Sequence, residues 1–242
     1  MPSPKFTALI LARGGSKRIN RKNMQELADR PLLYWTLRYA QLCPYIENTI
    51  VSSDDLEILN YVSEFQNVWT VERPAHLASD TSTDLEAFEH CLAQAKSEFI
   101  TVNDYIVHLR ATNPFRKLCW MEDIVEKLHD DPEIDTVRSV ELAEITPFKM
   151  WLPDDKGIIE PVCSVSGIQF AHSMPKQVLP KVYWQNAHLD IIRKDVLMSN
   201  QIVGKKIFGY LTPPDLPDID LLHDLEKARE FFAELIDNSL TE

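Results

Sequence analysis

Along the chain, apolar runs of strand length alternate with segments whose apolar residues recur at helical spacing. Phe6 to Ala12 is a continuous apolar run closed by Gly14-Gly15, the pattern of a buried strand feeding a loop. From Pro31 to Leu42 the apolar residues recur at helical spacing, with Pro31 at a first helical position. Asn48 to Ser52 reads as a short β-branched strand, Asp55 to Phe65 as a helix entered through Ser53-Asp54, and Val68 to Val71 as the next strand. The alternation continues with a helix over Thr83 to Ala95, a strand over Tyr105 to Leu109, a helix over Cys119 to Leu128 and a strand over Thr136 to Val140. Strands alternating with helices in this way predict an α/β fold with a mostly parallel sheet and helices on both faces.

After Val140 the rhythm stops. From Glu141 to Val182, Pro147, Pro153, Pro161, Pro175 and Pro180 separate short aromatic and β-prone stretches. The expectation is a main domain over 1–140 and 183–242, with 141–182 inserted as a small subdomain. His188 to Ile192, Lys205 to Leu211 and a helix from Leu221 to Ile236 return to the main pattern. The insertion offers Phe148, Met150, Trp151, Phe170 and Met174 with little local core to bury them, which marks it as a candidate subunit contact. A loop packed on its own domain is the competing reading.

The 242 residues, 45% of them hydrophobic, suffice for a full core. The formal net charge of -12 argues against duplex nucleic acid as a partner, because phosphate binding on that scale needs a basic face. Cys43, Cys91, Cys119 and Cys163 form no CxxC pair and no zinc spacing, so they read as reduced, mostly buried thiols. Phe6 to Ala12 is too short to span a membrane, and no basic-then-apolar leader precedes it, so the expected location is cytoplasmic.

Charge changes the picture in one place. Arg13, Lys17, Arg18, Arg21 and Lys22 crowd the turn after the first strand of an otherwise acidic chain, beside Gly14 and Gly15. Consecutive glycines let backbone N–H groups face inward, and the surrounding cations suit a small polyanion. Ligands of open α/β sheets sit beyond the carboxyl ends of the strands, so the loops Ser52 to Asp55, Glu72 to Pro74 and Arg110 to Arg116 should converge on the same place. Asp218-Ile219-Asp220 puts two carboxylates on one side of an extended segment, a plausible cradle for a divalent cation. The glycine loop is neither a GxxxxGK[ST] phosphate loop nor a GxGxxG dinucleotide fingerprint. A triphosphate clamp completed by a carboxylate-held Mg2+ is what remains, and phosphoryl or nucleotidyl transfer needs mainly that.

Taken together, Ala12-Arg-Gly-Gly-Ser-Lys-Arg18, Arg21-Lys-Asn23, Arg73 to Asp80, Leu109 to Arg116 and Asp218-Ile-Asp220 resemble the acylneuraminate cytidylyltransferases, the CMP-sialic acid synthetases. The resemblance covers nearly the whole chain. It implies a Rossmann-like nucleotidyltransferase, a homodimer whose inserted segment supplies the contact, and Mg2+-dependent coupling of CTP to a 2-keto-3-deoxy sugar acid with release of pyrophosphate. Position by position it implies a nucleotide site of Ala12, Arg13, Gly14, Ser16, Lys17, Lys22, Asn23 and Arg73. Arg13, Lys22 and Asp220 would be catalytic, and Asp218 and Asp220 would hold the metal. Asp84 stands where some relatives have serine, and its carboxylate could accept from the cytosine amine; a plain helix-start Asp is the alternative.

The sugar side departs from the sialic acid members. Arg110 replaces a common glutamine, Lys176 stands near an expected arginine, and Tyr183-Trp-Gln-Asn-Ala187 replaces a common Arg-Pro-Asn-Gly. Arg110, Lys176, Gln185 and Asn186 are the sugar-side candidates, and legionaminic, pseudaminic, amino-octulosonic and N-acetylneuraminic acids all stay open. Two alternatives remain beside this reading: a nucleotidyltransferase of the same fold acting on a sugar phosphate, and a non-catalytic nucleotide-binding homologue.

Overall fold

The computed structural model describes residues 4–239. In chain order the elements are β1 (Phe6–Leu11), β2 (Glu26–Leu27), β3 (Arg30–Pro31), α1 (Leu32–Leu42), β4 (Ile46–Ser53), α2 (Leu56–Ser63), β5 (Val68–Glu72), α3 (Asp84–Ser97), β6 (Tyr105–His108), α4 (Cys119–Asp130), β7 (Thr136–Leu142), β8 (Trp151–Pro153), β9 (Ile159–Pro161), β10 (Tyr183–Arg193), α5 (Lys194–Met198), β11 (Ile207–Leu211) and α6 (Leu222–Ser239). The chain divides into two compact units, one of residues 1–139, 187–210 and 215–242, the other of residues 140–186 and 211–214.

The first unit is built on a sheet of order β11-β7-β10-β6-β1-β4-β5. β1 pairs in parallel with β4 and with β6, and β4 in parallel with β5. β10 runs antiparallel to β6, so the sheet is mixed, with its parallel pairings among β6, β1, β4 and β5. Apolar content and length forecast a strand at β10 but carry no sign of its direction.

Period-two alternation in β1 explains why both faces are covered. Phe6, Ala8 and Ile10 pack with Leu33 and Leu37 of α1 and Met121 and Ile124 of α4. Leu9, one residue out of phase, joins Phe88 and Cys91 of α3 and Leu197 of α5 on the other face. α5 escapes a periodicity reading because its five residues span little more than one turn. Helix starts follow local chemistry: Asp55 accepts from the Glu57 N–H, and Thr83 and Glu86 cap α3 reciprocally. Pro31 is the N-cap of α1 and lies just outside the helix.

A third apolar cluster serves the loops. Ile19 from the turn after β1 and Ile219 from the acidic segment are buried with Leu27, Leu32, Phe115, and Leu225 and Ala228 of α6. Burying a side chain such as Ile contributes about 1.5–3 kcal/mol.

The second unit is sparse in regular structure. β8 and β9 form an antiparallel hairpin, and the intervening turn is set by the Asp154 Oδ1 accepting from the Lys156 and Ile158 N–H groups, with Gly157 at φ +80°. Trp184 Nε1 and Asn186 Nδ2 both donate to the Glu141 carboxylate, and Asn186 Nδ2 also donates to Thr212. Met150, Trp151, Phe170 and Met174 are exposed, whereas Phe148 is half-buried. Of the free cysteines, Cys43 and Cys91 are buried, Cys163 is partly so and Cys119 is exposed. No helix among the described residues is long and apolar enough to cross a membrane.

Candidate active site

A cavity of about 490 Å³ opens in the first unit beyond the carboxyl ends of β1, β5 and β6. Arg13, Lys22, Asn23, Arg73, Asp84, Arg110, Asp218 and Asp220, all singled out from sequence, line it together. The topology brings them there because each follows, or lies near, the end of a strand whose apolar residues fix the register.

The glycine loop works differently from a nest of inward N–H groups. Neither Gly14 nor Gly15 has a left-handed φ; that conformation falls to Arg21 at φ 52°. Gly14 is needed for close approach, since a Cβ there would sit 2.7 Å from the Asp55 Cβ, while Gly15 faces open space. The Gly14 N–H donates to Asp54 Oδ1 at 2.9 Å, so that amide already has an acceptor. Buried Asn23 braces the turn by donating to the Arg13 carbonyl at 2.9 Å. Ala12 is buried, its N–H donating to the Ser52 carbonyl, and neither it nor Gly14, Ser16 or Lys17 lines the cavity.

Every cation of the loop meets a carboxylate. Arg13 Nη1 donates to Asp80 Oδ1 at 3.2 Å, and Lys17 pairs with the same aspartate. Lys22 Nζ donates to Asp220 Oδ1 at 2.8 Å, with Arg18 Nη1 3.2 Å from Oδ2. Arg21 pairs with Glu57, away from the cavity. The loop therefore has one acidic counterpart on each side, Asp80 and Asp220. Asp80 carried no signal of its own in the sequence beyond its place in the Arg73–Asp80 motif.

The two carboxylates around Ile219 are electrostatically unlike. Burial, then the charge of Asp220, pushes the Asp218 carboxyl up, while the Lys22 hydrogen bond pulls Asp220 down. Asp218 Oδ1 is buried with no hydrogen-bond partner among the described residues. A desolvated oxygen of that kind beside a second carboxylate is chemistry a hard divalent cation satisfies, so the residues present fit Mg2+. No cluster of three or more His, Cys, Asp or Glu ligands occurs among the described residues.

Arg73 is buried; its Nε and Nη2 donate to the Ser52 hydroxyl and carbonyl, and burial pulls its pKa down. Asp84 is in the first turn of α3, 3.2 Å from Arg110 Nη2. His108 also lines the cavity, in an edge-to-face contact with Phe88 and with Nδ1 3.9 Å from Asp84 Oδ2. Burial, reinforced by the cations Arg110, Arg116, Arg138 and Arg73, pushes its pKa well below the ordinary value and keeps the ring neutral. A sequence reading passes over His108 because one polar residue at the end of an apolar strand has no spacing partner. Arg116 is buried, its Nη2 donating to the Arg110 carbonyl at 2.6 Å and its Nη1 to Thr36. Burial lowers its pKa to about 10.

Of the sugar-side candidates, only Arg110 lines this cavity. Lys176, Gln185 and Asn186 belong to the second unit. There Lys176 is exposed and donates to the Glu144 carbonyl, Gln185 is exposed, and Asn186 is buried on Glu141 and Thr212.

The fold is that of an α/β nucleotidyltransferase. A solved CMP:2-keto-3-deoxy-manno-octonic acid synthetase complexed with CTP superposes with a TM-score of 0.67 at 15% identity, over 95% of this chain and 99% of that one. The family described as Cytidylyltransferase matches residues 7–146. The post-translational flagellin modification protein B of Campylobacter coli is 24% identical over 92% of this chain and 90% of its own length. The CMP-N,N'-diacetyllegionaminic acid synthase of Campylobacter jejuni is 23% identical over 93% and 94%. The chain belongs to the cytidylyltransferase family of CMP-sugar-acid synthetases, the acylneuraminate cytidylyltransferases.

Proposed function

We propose that this enzyme couples CTP to a free 2-keto-3-deoxy sugar acid, giving the CMP-sugar and pyrophosphate. The observation that carries the reading is that Arg13 and Lys22 of the basic loop line one cavity with Asp218 and Asp220, and that Lys22 Nζ donates to Asp220. The anomeric hydroxyl gives up its proton to solvent as its oxygen attacks the α-phosphorus, the bond to the oxygen bridging the β-phosphorus breaks, and pyrophosphate leaves. Arg13 and Lys22 exchange their carboxylate partners for phosphate oxygens and stabilise the charge that develops there. Arg73 and Asp84 border the base, and Asp84 is freed to accept from the cytosine amine when the carboxylate of the sugar acid takes its place on the Arg110 fork. Asp218 and Asp220 would hold a Mg2+ ion, which would supply neutralisation of phosphate charge.

The sugar is proposed as a nine-carbon acid of the legionaminic class, which the name of the Campylobacter jejuni relative supports. Arg110 offers a planar fork for its carboxylate. A cytoplasmic homodimer joined through the second unit completes the reading; exposed Trp151, Phe170 and Met150 on that unit support the contact. Pyrophosphate release with CTP, Mg2+ and a panel of free keto sugar acids tests the function. Release with none of the acids, or only with a sugar 1-phosphate, overturns it. Light scattering of the intact chain tests the dimer.

A further inference from the structure

Asp190 is a carboxylate in the middle of an apolar strand, in Leu189-Asp190-Ile191-Ile192 of β10, with no exposed surface. Placing a charge there costs several kcal/mol unless ion pairs and hydrogen bonds compensate. Its Oδ2 accepts from Arg110 Nη1 at 2.6 Å and lies 3.1 Å from Arg138 Nη1. One arginine would neutralise it, so the second leaves the trio with a surplus positive charge.

The geometry decides where that surplus points. Arg138 on β7 is mostly buried and tied down through Nη2, which donates to the Ile202 carbonyl at 2.6 Å. Asp190 is fixed in register by β10, whose Cα partner for it on β6 is His108. Arg110, two residues after His108, is the member of the trio that lines the cavity, and its Nη2 is presented to Asp84 there. A fixed anion backed by a fixed cation thus aims a guanidinium at the cavity.

We infer that Asp190 and Arg138 are positioning residues for Arg110, holding its guanidinium oriented and with net positive charge toward the carboxylate of the second substrate. This rests on the proposed reaction, in which that substrate is a sugar acid. A second substrate carrying a carboxylate replaces Asp84 as the partner of Arg110, and the buried pair behind it keeps the fork from swinging when the partner changes.

Steady-state kinetics of the full chain test this, with CTP and the keto sugar acid varied separately. Asp190→Asn is expected to raise the KM for the acid about tenfold or more, while the KM for CTP stays within about twofold. Arg110→Met should raise the acid KM as well, and adding Asp190→Asn to it should produce no further rise, because the aspartate acts through the arginine. If Asp190→Asn does not fold, by its circular dichroism, Arg138→Gln makes the same test. It removes the surplus charge but leaves Asp190 paired, and should raise the acid KM selectively and non-additively with Arg110→Met. Equal rises in both KM values, or additive effects in the double variant, overturn the positioning role while the proposed reaction stands. A wild-type chain that releases no pyrophosphate with any acid overturns the reaction and this role with it.

Discussion

Ile19 and Ile219 lie in one apolar cluster, 2% and 0% exposed, although 200 residues of chain separate them. The first belongs to the basic turn, the second to the acidic pair, so the two halves of the site are joined by hydrophobic burial as well as by the Lys22–Asp220 ion pair. Ile219→Ala should cost about 2–5 kcal/mol and Ile219→Val about 0.5–1.5 kcal/mol in urea denaturation. Under conditions where Ile219→Ala is still folded, it should also lose activity, because the flanking aspartates lose their anchor. Wild-type turnover in that variant would break the link between packing and site.

On the proposed reaction, substitution of Lys22 should separate catalysis from stability. Its ion pair with the half-exposed Asp220 is worth about 0–1 kcal/mol to folding. A preorganised donor aimed at developing charge is worth about 2.7–4 kcal/mol in the transition state, so Lys22→Met should lower kcat by about two to three orders of magnitude. Thermal melting should barely move. A fall in melting temperature that matches the loss of activity would show that the residue is mainly structural.

Asp218 should show the reverse trade. Its folded pKa is raised, so the native state disfavours the ionised form, and the penalty is present at neutral pH. It is relieved as pH falls through the folded pKa towards the unfolded value. Asp218→Asn should therefore melt higher than wild type at pH 7 in the absence of divalent ions, while losing activity. Mg2+ should raise the melting temperature of the wild type by mass action and leave that of Asp218→Asn unchanged. An equal Mg2+ shift in both proteins would place the cation elsewhere.

Much of this architecture is legible from local pattern. The Phe6–Ala12 run, the Thr83 cap and the helical spacing of Leu33 and Leu37 each carry their own instruction, and the structure realises β1, α3 and α1 from them. The loops after β1, β5 and β6 converge on one cavity, whereas the Ser52–Asp55 loop, expected to join them, does not line it: Asp54 accepts from the Gly14 N–H and Ser52 from Arg73. What escapes is pairing at a distance. Asp190 is visible as a charge inside an apolar strand, yet nothing near it names Arg110, 80 positions away, or Arg138 as partners. Gly14 misleads for a related reason: its lack of a side chain answers the approach of Asp55, not a left-handed turn.

Below neutral pH, His188 should limit stability. Its ring is 1% exposed on β10, packed against Trp120 at 5.9 Å, and neither ring nitrogen has a hydrogen-bond partner among the described residues. Arg116 Nε donates to the His188 carbonyl, so a guanidinium charge lies beside a ring that would itself become cationic. Burial first, then Arg116, pulls the pKa down to about 4. Above the unfolded value of about 6.5, both states hold a neutral ring and the residue adds no pH dependence. As pH falls from there to about 4, the unfolded chain takes up a proton that the native state refuses, and stability drops by about 3 kcal/mol. His188→Leu removes the titration and keeps an apolar group against Trp120. The difference in unfolding free energy between wild type and this variant, followed by urea titration from pH 7.5 to 4.5, should shift steadily against the wild type. A difference independent of pH would mean that the ring takes up its proton as readily in the folded chain as in the unfolded one.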